Sequence, residues 1–151
     1  MKQLRINKNY SLLKNWWETI DLTNYEKSFF NKEIISFNQQ LFRLKEKKIR
    51  IGAYGKSGVG KSSVLNSLLE KDIFKTDIIN GTTREIQAEE WKFKDQSLNS
   101  IELLDSPGFD FCDIKFPDKV YSSINHSDLI LFIISGDLNR NELNEISSFI
   151  K

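Results

Sequence analysis

The apolar run KIRIGAY, residues 48–54, gives way abruptly to GKSGVGKSS and then to the helix-like VLNSLL. No other feature of the 151-residue chain restricts its fold as much. Three glycines in six positions supply torsions that other residues resist, and they leave no side chain between the backbone and a ligand. Gly55-Lys56-Ser57-Gly58-Val59-Gly60-Lys61-Ser62 fits G-x-x-x-x-G-K-[ST]. Between a strand and a helix, that pattern turns several backbone N–H groups inward and adds the positive end of the helix dipole, which makes a cradle for phosphate. The N–H groups of Gly55, Gly58, Val59, Gly60, Lys61, Ser62 and Ser63 are the candidate cradle. Lys61 reaches the β- and γ-phosphates, and the Ser62 hydroxyl is suited to magnesium. Lys56 is read as solvated and without a role.

The rest of the chain gives that loop an α/β setting. Residues 9–20 predict a short amphipathic helix. A second helix is expected from a cap at Thr23 or Asn24 to about Lys47, with Phe30, Ile34, Phe37, Leu41 and Leu44 on one face. Residues 85–93 and 100–104 predict two strands and 114–125 a helix. DLILFIIS, 128–135, predicts a strand buried on both faces. A last helix begins at NELNEISSFI, capped by Asn139 or Asn141. The chain divides into a helical extension, 1–47, and an α/β part, 48–151.

Two further stretches refine the chemistry. In LLDSPGFD, Asp105 ends an apolar strand 44 residues after Lys61, and Gly108 follows at D-x-x-G spacing. An aspartate there can hold magnesium, and the glycine N–H can meet a γ-phosphate and release the loop when that phosphate leaves. An ATPase more often carries a second acid directly after this aspartate, and here Ser106 follows. Between the two motifs lies IINGTTREI, where a threonine is the candidate for a second magnesium ligand: Thr83 first, Thr82 second.

Composition narrows the class. Residues 1–50 carry 11 Lys/Arg against 5 Asp/Glu, and residues 51–151 carry 11 against 16. The basic part suits RNA or an acidic lipid surface, but pairing with the acidic remainder of the same chain is the plainer reading. No apolar run approaches the ~18 residues of a membrane span. The start has no apolar signal core, and Cys112 is the single cysteine, so a cytoplasmic location is expected. Cys112, Asp110, Asp113 and His126 are read as structural or loop residues.

Taken together, GKSGVGKSSVLNSLL, GTTREI, LLDSPGFD and DLILFIIS resemble the P-loop GTPases, in particular the TrmE–Era-like branch and its dynamin-type and Toc/septin-type relatives. The resemblance spans roughly residues 48–151. It implies a P-loop NTPase G domain, a three-layer α/β sandwich, that binds GTP and GDP with Mg2+ and acts as a switch. Ser62, Thr83 and Asp105 would hold the metal and Lys61 the phosphates. Lys61 and Thr83 would serve hydrolysis, and Gly108 would open the second switch. Placement directly before Arg84 favours Thr83 over Thr82.

Three departures matter. Phe109 stands where Ras-like members carry a glutamine that orients water, so slow hydrolysis is expected, dependent on a protein partner, a dimer across the nucleotide face or another residue. Gly58 stands where potassium-stimulated relatives carry asparagine, so no potassium stimulation is expected. The guanine-reading N-K-x-D box is missing. Asn7-Lys8-Asn9-Tyr10 and Asn31-Lys32-Glu33-Ile34 both lack its aspartate, which argues against permutation. The expectation is a G domain cut short before that box, with an apolar sheet edge open at 128–135. The rival readings are a non-catalytic interaction fragment and, less well matched, an ATP-binding protein. RNA, ribosome or membrane partners have no motif of their own here.

Overall fold

Local sequence explains most of the element boundaries. The structure is a computed structural model that describes residues 2–75, 85–92, 98–110 and 117–150. It forms two units, one of residues 1–49 with 92–101, the other of residues 50–91 with 102–151.

In the first unit, α1 runs Lys2–Glu18, longer than the expected 9–20. The single helix expected after Thr23 is two: α2, Asn24–Phe29, and α3, Asn31–Lys45. Thr23 caps α2 in a reciprocal box with Glu26, which satisfies two N–H groups of the first turn. The helix breaks at Phe30, where φ −94° and ψ 21° leave the helical region. Its N–H still donates to the Glu26 carbonyl and its carbonyl still accepts from Ile34, so the break costs little. Phe37 of α3 packs on the rings of Trp17 (4.7 Å) and Trp16 (6.1 Å) of α1. Those contacts settle which way the apolar stripe faces. The tryptophans anchor α1 on α3.

The second unit holds the site. Its sheet has the order β2-β3-β1-β4, with β1 Lys48–Tyr54, β2 Gln87–Trp91, β3 Ser100–Asp105 and β4 Leu129–Phe132. Strands β1 and β4 are parallel, with Ile51 opposite Leu129 and Tyr54 opposite Phe132. Helices α4 (Lys61–Leu69), α5 (Pro117–Asn125) and α6 (Arg140–Phe149) complete it. Tyr54, Leu104 and Ile124 form the centre of the core, with Phe109, Phe132 and Phe149 packed around them. Asn139, not Asn141, caps α6, again in a reciprocal box, with Glu142.

A further expectation fails. The apolar run 128–135 is not a strand buried on both faces: β4 is shorter, Leu129 is 51% exposed, and the other three residues are half-buried. Among the described residues β4 is an outer strand of the sheet order, as the open edge expected at 128–135 requires, and an apolar run does not by itself reveal that one face stays exposed. Among the described residues, no helix is long and apolar enough to cross a membrane.

Buried Asn66 on α4 fixes the chain that leaves the helix. Its amide donates to the Phe74 carbonyl (2.8 Å) and its oxygen accepts from Ile73 and Phe74 N–H (3.1 and 2.9 Å). Asn66→Ala strands these three groups and is expected to cost about 2–4 kcal/mol, at roughly 1–3 kcal/mol per buried unsatisfied group with partial rescue by water. Urea denaturation checks this, and a loss below about 0.5 kcal/mol, the size of an ordinary surface change, would disprove the role.

Candidate functional site

Every turn of the glycine-rich loop is visible in its torsions. Gly55, Gly58 and Gly60 have φ of 153°, 74° and 93°. At Gly58 and Gly60 an added Cβ would meet nothing within 4 Å, so the backbone angle alone calls for glycine. At Gly55 the need is double, because a Cβ there would overlap the Ile133 carbonyl beside it. Left-handed Gly60 starts α4 and carries no side-chain cap. The first N–H groups of α4 are thus left for a ligand rather than answered by a side chain of the helix's own cap.

The side chains converge on that loop. Lys61 is buried, and its ammonium donates to the Lys56 carbonyl at 2.6 Å, folding back across the loop. Burial lowers its pKa below the ordinary lysine value, while the nearby Asp105 and Asp110 carboxylates act in the opposite sense. Ser62 Oγ donates to Asp105 Oδ2 at 2.6 Å, so the two candidate metal ligands, 43 residues apart in sequence, touch. Asp105 is fully buried at the end of β3. A serine hydroxyl and a carboxylate are hard oxygen donors of the kind magnesium prefers, and phosphate oxygens and water are suited to its remaining positions. Ser63 is exposed, and Val59 lies against the Gly55 side of the loop.

The D-x-x-G segment lies on the loop itself. Buried Ser106 donates to the Ala53 carbonyl (2.7 Å), which ties the segment to β1. The Phe109 N–H donates to the Gly55 carbonyl (3.3 Å), and a Cβ on Gly108 would overlap the backbone of Ser57. The Phe109 ring stacks on Tyr54 at 5.7 Å and belongs to the core, and its apolar edge offers no hydrogen bond. Thr82 and Thr83 lie outside the described residues, as do Cys112 and Asp113.

Sequence reasoning missed two participants. Lys56 is not merely solvated: its ammonium lies 3.6 Å from Glu142, a buried carboxylate at the first turn of α6. Nothing in the sequence links residues 86 apart. Asp110, read as a loop acid, accepts the Ser57 N–H at 2.7 Å. Its position two residues after Gly108 was the available signal.

Comparison with known proteins gives four findings. A family profile described as "50S ribosome-binding GTPase" matches residues 50–151. The tRNA modification GTPase MnmE of Malacoplasma penetrans is 35% identical over 140 residues, 89% of this chain and 29% of that protein. GTPase Der of Leptospira borgpetersenii is 32% identical over 96 residues, 58% of this chain and 19% of that protein. The chain therefore spans less than a third of either relative. Among solved structures, Toc33 from Arabidopsis thaliana in complex with Mg2+ and GMPPNP is similar at TM-score 0.49 and 17% identity, over 79% of this chain and 50% of that one.

Proposed function

This chain belongs to the 50S ribosome-binding GTPase family, and from that premise we propose that it is a magnesium-dependent GTP-binding switch that hydrolyses GTP slowly unless a partner assists. The observation that carries the reading is the contact between Ser62 and Asp105 beside buried Lys61 at an uncapped helix start. Backbone N–H groups of Gly55 and of Gly58 to Ser63 hold the phosphates, and Lys61 exchanges the Lys56 carbonyl for a phosphate oxygen. Ser62 and Asp105 would hold Mg2+, with Thr83 as the further ligand, and the metal would supply positive charge against the phosphates. Gly108 N–H meets the terminal phosphate.

Lys61 supplies positive charge where negative charge gathers on the transferring group. Phe109 cannot orient a water molecule, so basal turnover depends on charge neutralisation and positioning alone. The partner that accelerates it is a protein, or a second copy of the chain, covering the nucleotide face. The MnmE relative is named a tRNA modification GTPase and the family is described as ribosome-binding, and these two names support a role in tRNA modification or on the ribosome as the proposal for the process. A cytoplasmic setting accords with that role.

Calorimetry of GTP binding with Mg2+, and with ATP as competitor, tests the reading. Preference for GTP supports it; ATP displacing GTP would assign the site to adenine nucleotides, and no binding would leave an interaction module. Hydrolysis is expected to run at equal rates in potassium and sodium, because Gly58 has no side chain to help hold a monovalent ion. A several-fold rise in potassium would overturn that expectation.

A further inference from the structure

Asp110 has no part in the roles given above, yet its carboxylate reaches the phosphate loop. Three consecutive residues lie along the first half of that loop. Gly108 sits against Ser57, the Phe109 N–H bonds the Gly55 carbonyl, and Asp110 Oδ1 accepts the Ser57 N–H at 2.7 Å. Gly108 is the residue placed to meet the terminal phosphate, so the neighbouring Ser57 N–H belongs to that end of the cradle. Asp110 is also close enough to Lys61 to help hold its charge. A backbone N–H and a lysine ammonium are what a phosphate oxygen would find there. Asp110 is itself exposed, so it can leave without unpacking the core.

We propose that Asp110 is an internal occupant of the terminal-phosphate end of the cradle and sets the preference between GDP and GTP. The inference rests on the GTP-binding reading. GDP stops short of Ser57 and leaves the Ser57–Asp110 bond in place. The third phosphate of GTP brings a second anion to the same N–H, and two anions cannot share one donor. GTP must displace Asp110, and Asp110 is joined through Phe109 to Gly108. Arrival of the γ-phosphate therefore displaces Asp110, and Phe109 with it, by charge repulsion as well as by the new bond to the Gly108 N–H.

The test is calorimetry of GDP and of the non-hydrolysable analogue GMPPNP, each with Mg2+, on the full chain and on Asp110→Asn and Asp110→Ala. Asparagine keeps the acceptor and removes the charge; alanine removes both. The ratio of the GMPPNP to the GDP dissociation constant is expected to fall about tenfold in Asp110→Asn, the size of one screened charge pair at a few ångströms, and further in Asp110→Ala. GDP affinity stays within about threefold of the parent, since GDP does not reach this amide. An unchanged ratio with both nucleotides bound overturns the proposal and leaves the GTP-binding reading intact. If the parent chain binds neither nucleotide, that reading fails and this inference fails with it. Amide hydrogen exchange in the nucleotide-free protein provides the second measurement. Ser57 is expected to exchange faster in Asp110→Ala while core amides such as Leu104 are unaffected, and equal protection of Ser57 would remove the contact on which the proposal stands.

Discussion

Lys61→Ala is expected to weaken GTP binding more than about 100-fold, the consequence of deleting a charge partner worth roughly 3 kcal/mol or more in a desolvated site. The lysine already lies within the loop, buried and hydrogen-bonded to the Lys56 carbonyl, so it needs little rearrangement to meet a phosphate. Stability should respond in the opposite direction. Burial depresses the Lys61 pKa, so folding disfavours its charged form. Between the lowered folded value and the ordinary lysine value, the unfolded chain binds more protons than the folded one. Stability from this group therefore rises with pH across that window and is least where Lys61 is fully charged. Lys61→Met, which keeps the stem and drops the charge, is expected to leave the nucleotide-free Tm equal or higher while abolishing the rise in Tm that GTP produces in the parent. Retention of GTP affinity within threefold of the parent, in either variant, would show that the loop holds phosphate without its lysine.

Gly55→Ala should be severely damaging. The added Cβ would overlap the Ile133 carbonyl, and φ of 153° is strained for any L residue. The carbonyl has little room to move, because the adjoining Ile133 N–H is bonded to the Tyr54 carbonyl at 2.8 Å. A clash against the Ile133 backbone, added to the torsional strain, is expected to cost about 3 kcal/mol or more, a large fraction of an ordinary domain's stability. Gly58→Ala is the control. It also has a positive φ, but a Cβ there meets nothing within 4 Å, so the cost should be near the ~1 kcal/mol of left-handed strain. Urea denaturation of the two variants gives the comparison. Equal losses would mean that the approach of β4 to Gly55 is unimportant and torsion is the whole effect.

The comparison of these glycines also shows where sequence reading stops. The motif asks for glycine at Gly55 and Gly60, yet only the fold reveals that Gly55 faces a carbonyl and Gly60 faces open space. The same holds for charges. Asp105 was legible because it ends an apolar strand at a known spacing before glycine. Glu142, Lys56's partner, was not, because a contact between α6 and the loop depends on how two distant elements pack.

By itself, the sequence determined the glycine-rich loop, the Ser62, Lys61 and Asp105 candidates and the α/β order, and it narrowed the caps to Thr23 or Asn24 and Asn139 or Asn141. These are local properties: torsions tolerated by glycine, side chains that reach their own backbone, and apolar periodicity over a few turns. Tertiary structure decided that Thr23 and Asn139 are the caps, that Ser62 and Asp105 touch, that Leu129 is half-exposed, that Phe109 joins the core, and that Asp110 sits on Ser57. Each of those depends on which residues far apart in sequence become neighbours. The relevant energies, burial and the pairing of buried polar groups, are defined only once the sheet order is set.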